Sequence, residues 1–117
     1  MSRLKEISEK IEERKKKLKN SLDSMVIQLR DFGAVKIYIF GSYSRGEIDV
    51  NSDLDLFVIM PSNKTGKEWL NFIYNTIERV ISSDIIVFNI DEFNDQLSSN
   101  SFLKNIINSG SLIYEKT

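Results

Sequence analysis

The sequence predicts an α/β domain, a small mixed β-sheet with flanking helices and a long N-terminal helix, and three observations carry that prediction. Residues 3 to 30 place apolar side chains at three- and four-residue spacings. Two strand-like segments, 34 to 40 and 53 to 60, flank a polar stretch that contains glycine. From 53 to 90 the order is strand, helix, strand, the order that builds a parallel pair. At 117 residues the chain fits a single domain over 1–117, with an amphipathic helix at 1–31 and a core at 34–115.

The first helix carries Leu4, Ile7, Ile11, Leu18, Leu22, Met25, Val26 and Leu29, a stripe that is thin between positions 11 and 18. Glu6 with Lys10, Glu12 with Lys16, and Glu13 with Lys17 are favourable i, i+4 pairs, each worth roughly 0.2–0.5 kcal/mol. Gly33 suits the left-handed end of this helix. Ala34 to Phe40 then reads as a strand with Val35, Ile37 and Ile39 on one face and Tyr38 and Phe40 on the other. Asp53 to Met60 is apolar on both faces beyond its first residues, as a central strand should be, and Pro61 closes it. Trp69, Leu70, Ile73, Ile77, Val80 and Ile81 line one side of a helix from about Lys67 to Ile81, followed by a strand from Asp84 to Ile90. Short helices near 91–97 and 102–108, the latter capped by Gly110, and a last strand at 112–114 complete the map.

Composition narrows the chemistry. With 16 basic and 17 acidic residues the net charge is −1, so nothing draws the whole chain toward nucleic acid or an anionic membrane. The absence of cysteine and histidine excludes disulfides, thiolate metal sites and the commonest general base. Chemistry must rest on carboxylates, hydroxyls and cations. No apolar run approaches the length of a membrane span or a signal peptide, so a cytoplasmic protein is expected, and the acceptor-like Asn63-Lys64-Thr65 then has no glycosylating compartment.

The informative segment runs from Gly41 to Leu56. Gly41 at a strand end permits a sharp turn and a close backbone approach, and Ser42 offers a hydroxyl and backbone N–H groups to phosphate oxygens. A short helix starting near Tyr43 would add partial positive charge there. Asp53 and Asp55, two apart on a strand, point to one face, which Phe57 and Ile59 continue as core. Two like charges about 4 Å apart repel by roughly 4 kcal/mol at an effective dielectric of 20, and divalent cations reverse that sign. Asp84 opens the next strand on the face of Ile86 and Phe88, so a parallel neighbour can bring a third carboxylate alongside. Oxygen ligands alone favour magnesium or manganese, and a two-metal centre performs phosphoryl transfer without histidine.

Gly41-Ser42, ten residues, then Asp53-x-Asp55 resembles the signature of the DNA polymerase beta superfamily of nucleotidyltransferases. Together with Arg45-Gly46 and Ser52-Asp53-Leu54-Asp55-Leu56 it is similar to the minimal nucleotidyltransferase (MNT) branch, over about Val35 to Glu115. The resemblance implies a polymerase beta-like fold, ATP as substrate, two Mg2+ ions (or Mn2+) bound by Asp53 and Asp55, and Asp84 as third acid near the attacking hydroxyl. It further implies that Gly41 and Ser42 hold the triphosphate, with help from Arg45. Ser44 stands where the family commonly has alanine. Minimal members are often encoded beside a helical HEPN protein, and in such toxin–antitoxin pairs the nucleotidyltransferase can adenylylate a tyrosine of the HEPN ribonuclease. The alternatives are a partner-neutralising module that acts by contact alone, and nucleotidyl transfer to a small molecule or an RNA end.

Other features read as structure. Arg45 can pair with Glu47 or Asp49 instead of a phosphate, and Asp84 can simply start a strand. The basic run Arg14 to Lys19 is balanced by preceding glutamates and reads as a solvated helix face. The spacing Leu4, Ile11, Leu18, Met25 allows pairing between chains, homo- or hetero-oligomeric, with Met1 to Lys19 as the docking arm. Asp31-Phe32-Gly33 lacks the companion motifs of a kinase, and Thr65-Gly66-Lys67 lacks the upstream glycine of a P-loop, although Lys64 or Lys67 could reach a phosphate.

Overall fold

A computed structural model describes residues 2–78 and 81–117. In chain order the elements are helix α1 (Ser2–Asp31), strand β1 (Lys36–Phe40), a single turn of helix α2 (Gly41–Ser44), β2 (Leu54–Met60), α3 (Gly66–Thr76), β3 (Ser83–Asn89), α4 (Ile90–Gln96), α5 (Ser101–Ser109) and β4 (Ser111–Glu115). The sheet order is β3-β2-β1-β4. β2 and β3 run parallel through the α3 crossover, while β1 is antiparallel to both β2 and β4, so the sheet is mixed as expected.

Pleating divides the core in two. Leu54, Leu56, Val58 and Met60 of β2 face α1 and α3, where Leu18, Leu22, Met25, Leu29, Trp69 and Ile73 are buried with them. Phe57 and Ile59 face the other way, against Phe93 of α4 and Leu103 and Ile106 of α5. Every residue of β2 except Asp55 is buried, as a doubly covered central strand requires.

Several boundaries differ from the sequence expectation. The chain bends at Val35, so β1 begins at Lys36 and Val35 packs against the Phe57 cluster, not beside Ile37 and Ile39. Gly33 does take the left-handed conformation, φ 102°. Helix α3 stops at Thr76 instead of near Ile81, because Ile77 turns extended (φ −74°, ψ 132°). The Gln28 side chain then meets the peptide of Glu78, accepting from its N at 3.2 Å and donating to its O at 3.4 Å, which satisfies a backbone that has left the helix. Ile77 and Ile81 remain buried, whereas Val80 lies outside the described residues. Among the described residues the charged pairs within α1 are Lys15 with Glu12, Lys19 with Asp23 and Arg30 with Asp31, not Glu6 with Lys10, Glu12 with Lys16 and Glu13 with Lys17 as expected. The stripe is buried only from Leu18 onward, with Leu4 and Ile7 exposed.

Candidate active site

One rim of the sheet gathers the candidate residues, because β1 ends where β2, β3 and β4 begin. In register, Phe40 faces Asp55, Asp55 faces Asp84, and Ile39 faces Ser111. Asp55 and Asp84 are therefore cross-strand neighbours on parallel strands about 4.8 Å apart. Asp53 immediately precedes β2, and with Asp84 it is exposed, whereas Asp55 is half-buried. Burial pushes the Asp55 carboxyl above the ordinary carboxylate range, the charges of Asp84 and Asp53 push it further, and Arg45 pulls the other way.

Gly41 explains why this rim can be crowded. It has φ 76°, and a Cβ there would overlap Asp55 Oδ2 and stand 3.0 Å from Asp55 Cγ. A glycine both makes the left-handed turn and leaves room for the carboxylate. Ser42, half-buried in the turn that follows, accepts the Glu47 N–H on its carbonyl at 2.9 Å. The Ser44 hydroxyl lies 3.3 Å from that of Ser111, tying this turn to β4. Arg45 pairs with Glu47 at 3.0 Å on the surface.

The segment before β2 is held by its own polar atoms. Asp49 Oδ1 accepts from Asn51 N, and the buried Ser52 accepts the Asp49 N–H on Oγ, both at 2.8 Å. Arg14 of α1 closes this turn from outside: its Nε donates to the Ser52 carbonyl at 2.8 Å and its Nη2 reaches Asp53 Oδ1 at 3.2 Å. The sequence reading placed Arg14 on a solvated face. Helical periodicity could have corrected it, since Arg14 lies three residues after Ile11 and four before Leu18, in the gap of the apolar stripe.

Among the described residues no three acidic side chains are arranged to hold a metal ion as they stand. Asp53 is engaged with Arg14 while Asp55 and Asp84 are neighbours in register. The donor set nevertheless suits a hard cation: it is all oxygen, it shares a rim, and the charges of Asp84 and Asp53 add to burial in raising Asp55. Lys64 sits over the Trp69 ring, 4.8 Å from its centroid, and Gly66 is packed against Val87 O and Glu92 Oε1, so neither joins the acids.

Residues 27–117 match the family model described as polymerase beta, nucleotidyltransferase. A crystal structure of a Sulfolobus solfataricus protein, provisionally named a nucleotidyltransferase, superposes with a TM-score of 0.64 at 17% identity, over 92% of this chain and 88% of that one, which is a likeness of fold. A toxin–antitoxin structure with AMP-PNP aligns more loosely, with a TM-score of 0.46 at 20% identity over 81% of this chain and 73% of that one. No curated protein matches the chain.

Proposed function

The chain belongs to the polymerase beta nucleotidyltransferase family, and on that premise we propose that it transfers AMP from ATP to a hydroxyl of a partner protein. The observation that carries this reading is Asp55 facing Asp84 across parallel strands, with Asp53 at the same rim and the Gly41-Ser42 turn packed on Asp55. Asp53, Asp55 and Asp84 would hold divalent metal ions, magnesium or manganese. Bound there, such ions neutralise triphosphate charge and polarise the attacking hydroxyl.

The protein's own groups bind, orient and accept a proton. The Gly41-Ser42 turn offers the triphosphate first-turn N–H groups that have no intrahelical acceptor, and a hydroxyl. Arg45, exposed and able to leave Glu47, adds a cation for a phosphate oxygen. The acceptor oxygen forms a bond to the α-phosphorus of ATP and the bond from that phosphorus to the α–β bridging oxygen breaks. Pyrophosphate departs, and the hydroxyl proton passes to Asp84, which is exposed at the rim where an acceptor can approach.

We take the acceptor to be a HEPN-type ribonuclease, which makes this chain an antitoxin, on the strength of the motif's likeness to minimal nucleotidyltransferases. Labelled ATP, magnesium and the protein encoded beside this chain test the reading. Label should appear on the partner with the wild-type chain and vanish with Asp53→Asn. Label on a small molecule or RNA end would move the reaction to another acceptor. Full neutralisation by Asp53→Asn, with no label on the partner, would establish the other reading, neutralisation by contact alone.

A further inference from the structure

Arg14 lies outside the residues that match the family model, on the helix that packs against the opposite face of the sheet from the acids' neighbours Phe57 and Ile59. Its side chain nevertheless reaches the rim and is mostly buried there, 23% exposed, between α1 and the turn that leads into β2. The contact is a fork: Nε donates to the carbonyl of Ser52 and Nη2 to Asp53 Oδ1. Ser52 is itself fixed by Asp49, so the guanidinium joins a rigid turn to the carboxylate of the next residue. Among the described residues the contact engages Oδ1 of Asp53, and a carboxylate offers about four lone-pair sites, so capacity remains for a cation.

We propose that Arg14 is a positioning residue for the metal-binding carboxylate of Asp53, reached from a helix that the family pattern does not include. The inference rests on the metal role of Asp53 given above. Carboxylates that ligate metals are held by hydrogen bonds to their outer oxygens, and loss of such a partner typically costs 10–100-fold in metal affinity. The opposite sign is also physically available, because a cation beside the site repels an incoming cation. The sign of the change therefore separates a residue that orients Asp53 from one that only adds charge.

Mn2+ binding to the full chain, followed through the electron paramagnetic resonance of the free ion and without nucleotide or acceptor, reads that sign. Arg14→Ala should weaken binding about tenfold. Arg14→Lys should recover little of the loss, since an ammonium is a compact donor that cannot reproduce the planar fork. Lys15→Ala removes the same charge one residue away, where the side chain pairs with Glu12, and should bind as the wild type does. Circular dichroism of each variant confirms that α1 and the sheet are kept. Equal or tighter binding by a folded Arg14→Ala overturns the proposal while leaving the metal reading intact. A wild-type chain that takes up no Mn2+ overturns both.

Discussion

Gly41 and Asp55 restrict each other, and that mutual constraint can be measured. Gly41→Ala would force an L-residue into φ 76° and drive a methyl into the Asp55 carboxylate, so it should lower stability by about 1–3 kcal/mol in urea denaturation and abolish transfer. Asp55 is raised by burial and by Asp84 and Asp53, so without metal its ionised form is the destabilising one. Its contribution is favourable while it is protonated and is lost as pH rises through the carboxylate range. Asp55→Asn, measured in EDTA, should therefore raise Tm by about 2–4 °C at neutral pH while removing activity, and the gain should shrink as the pH is lowered toward the range where Asp55 protonates. These residues were legible because their chemistry is local: a glycine, a serine and two aspartates at fixed spacing on a turn and a strand. Arg14 was legible only in part: the gap in the apolar stripe puts it on the packed side of α1, but its partner lies 39 residues away and no spacing announces that pairing.

Helix starts in this fold are fixed by side chains that serve two elements at once. Glu92 Oε1 accepts from Asn89 N at 2.8 Å, closing the capping box of α4, and from Gly66 N at 3.0 Å, at the start of α3. Glu92→Ala leaves both donors unpaired in a partly buried place and should cost about 2 kcal/mol of stability in urea denaturation, more than an ordinary cap. Asn89 and Thr65, the two capping-box N-caps, belong to residue types that mark helix starts, and α3 and α4 began within a residue of the expected positions. The end of α3 was less legible. Ile77 and Ile81 keep a four-residue spacing and stay buried, so periodicity continued past the point where the backbone left the helix to be met by Gln28. Spacing reports which side chains are buried, and here the burial outlasted the helix.

At the scale of the molecule, α1 does two jobs along its length. Leu18, Met25 and Leu29 are fully buried, and Leu18→Ala should destabilise the protein by about 3 kcal/mol. Leu4 and Ile7 project from the exposed first turns of α1, so deleting residues 1–10 should shift unfolding by less than about 0.5 kcal/mol. Thermal melts of both variants check the contrast. The α/β class and the parallel step from β2 to β3 followed from the order of periodic segments. The placement of β4 beside β1 did not, because a short terminal strand carries no signal of which edge it will join. That strand order also interleaves the halves of the chain. The β1–β2 hairpin, bearing Gly41, Asp53 and Asp55, is flanked on one side by β3 with Asp84 and on the other by β4. A break at the exposed Ser62–Asn63 turn would thus leave each fragment with an incomplete rim and two unsatisfied strand edges. Mixing the fragments should restore a folded, split protein whose reassembly brings the third acid back beside the first two.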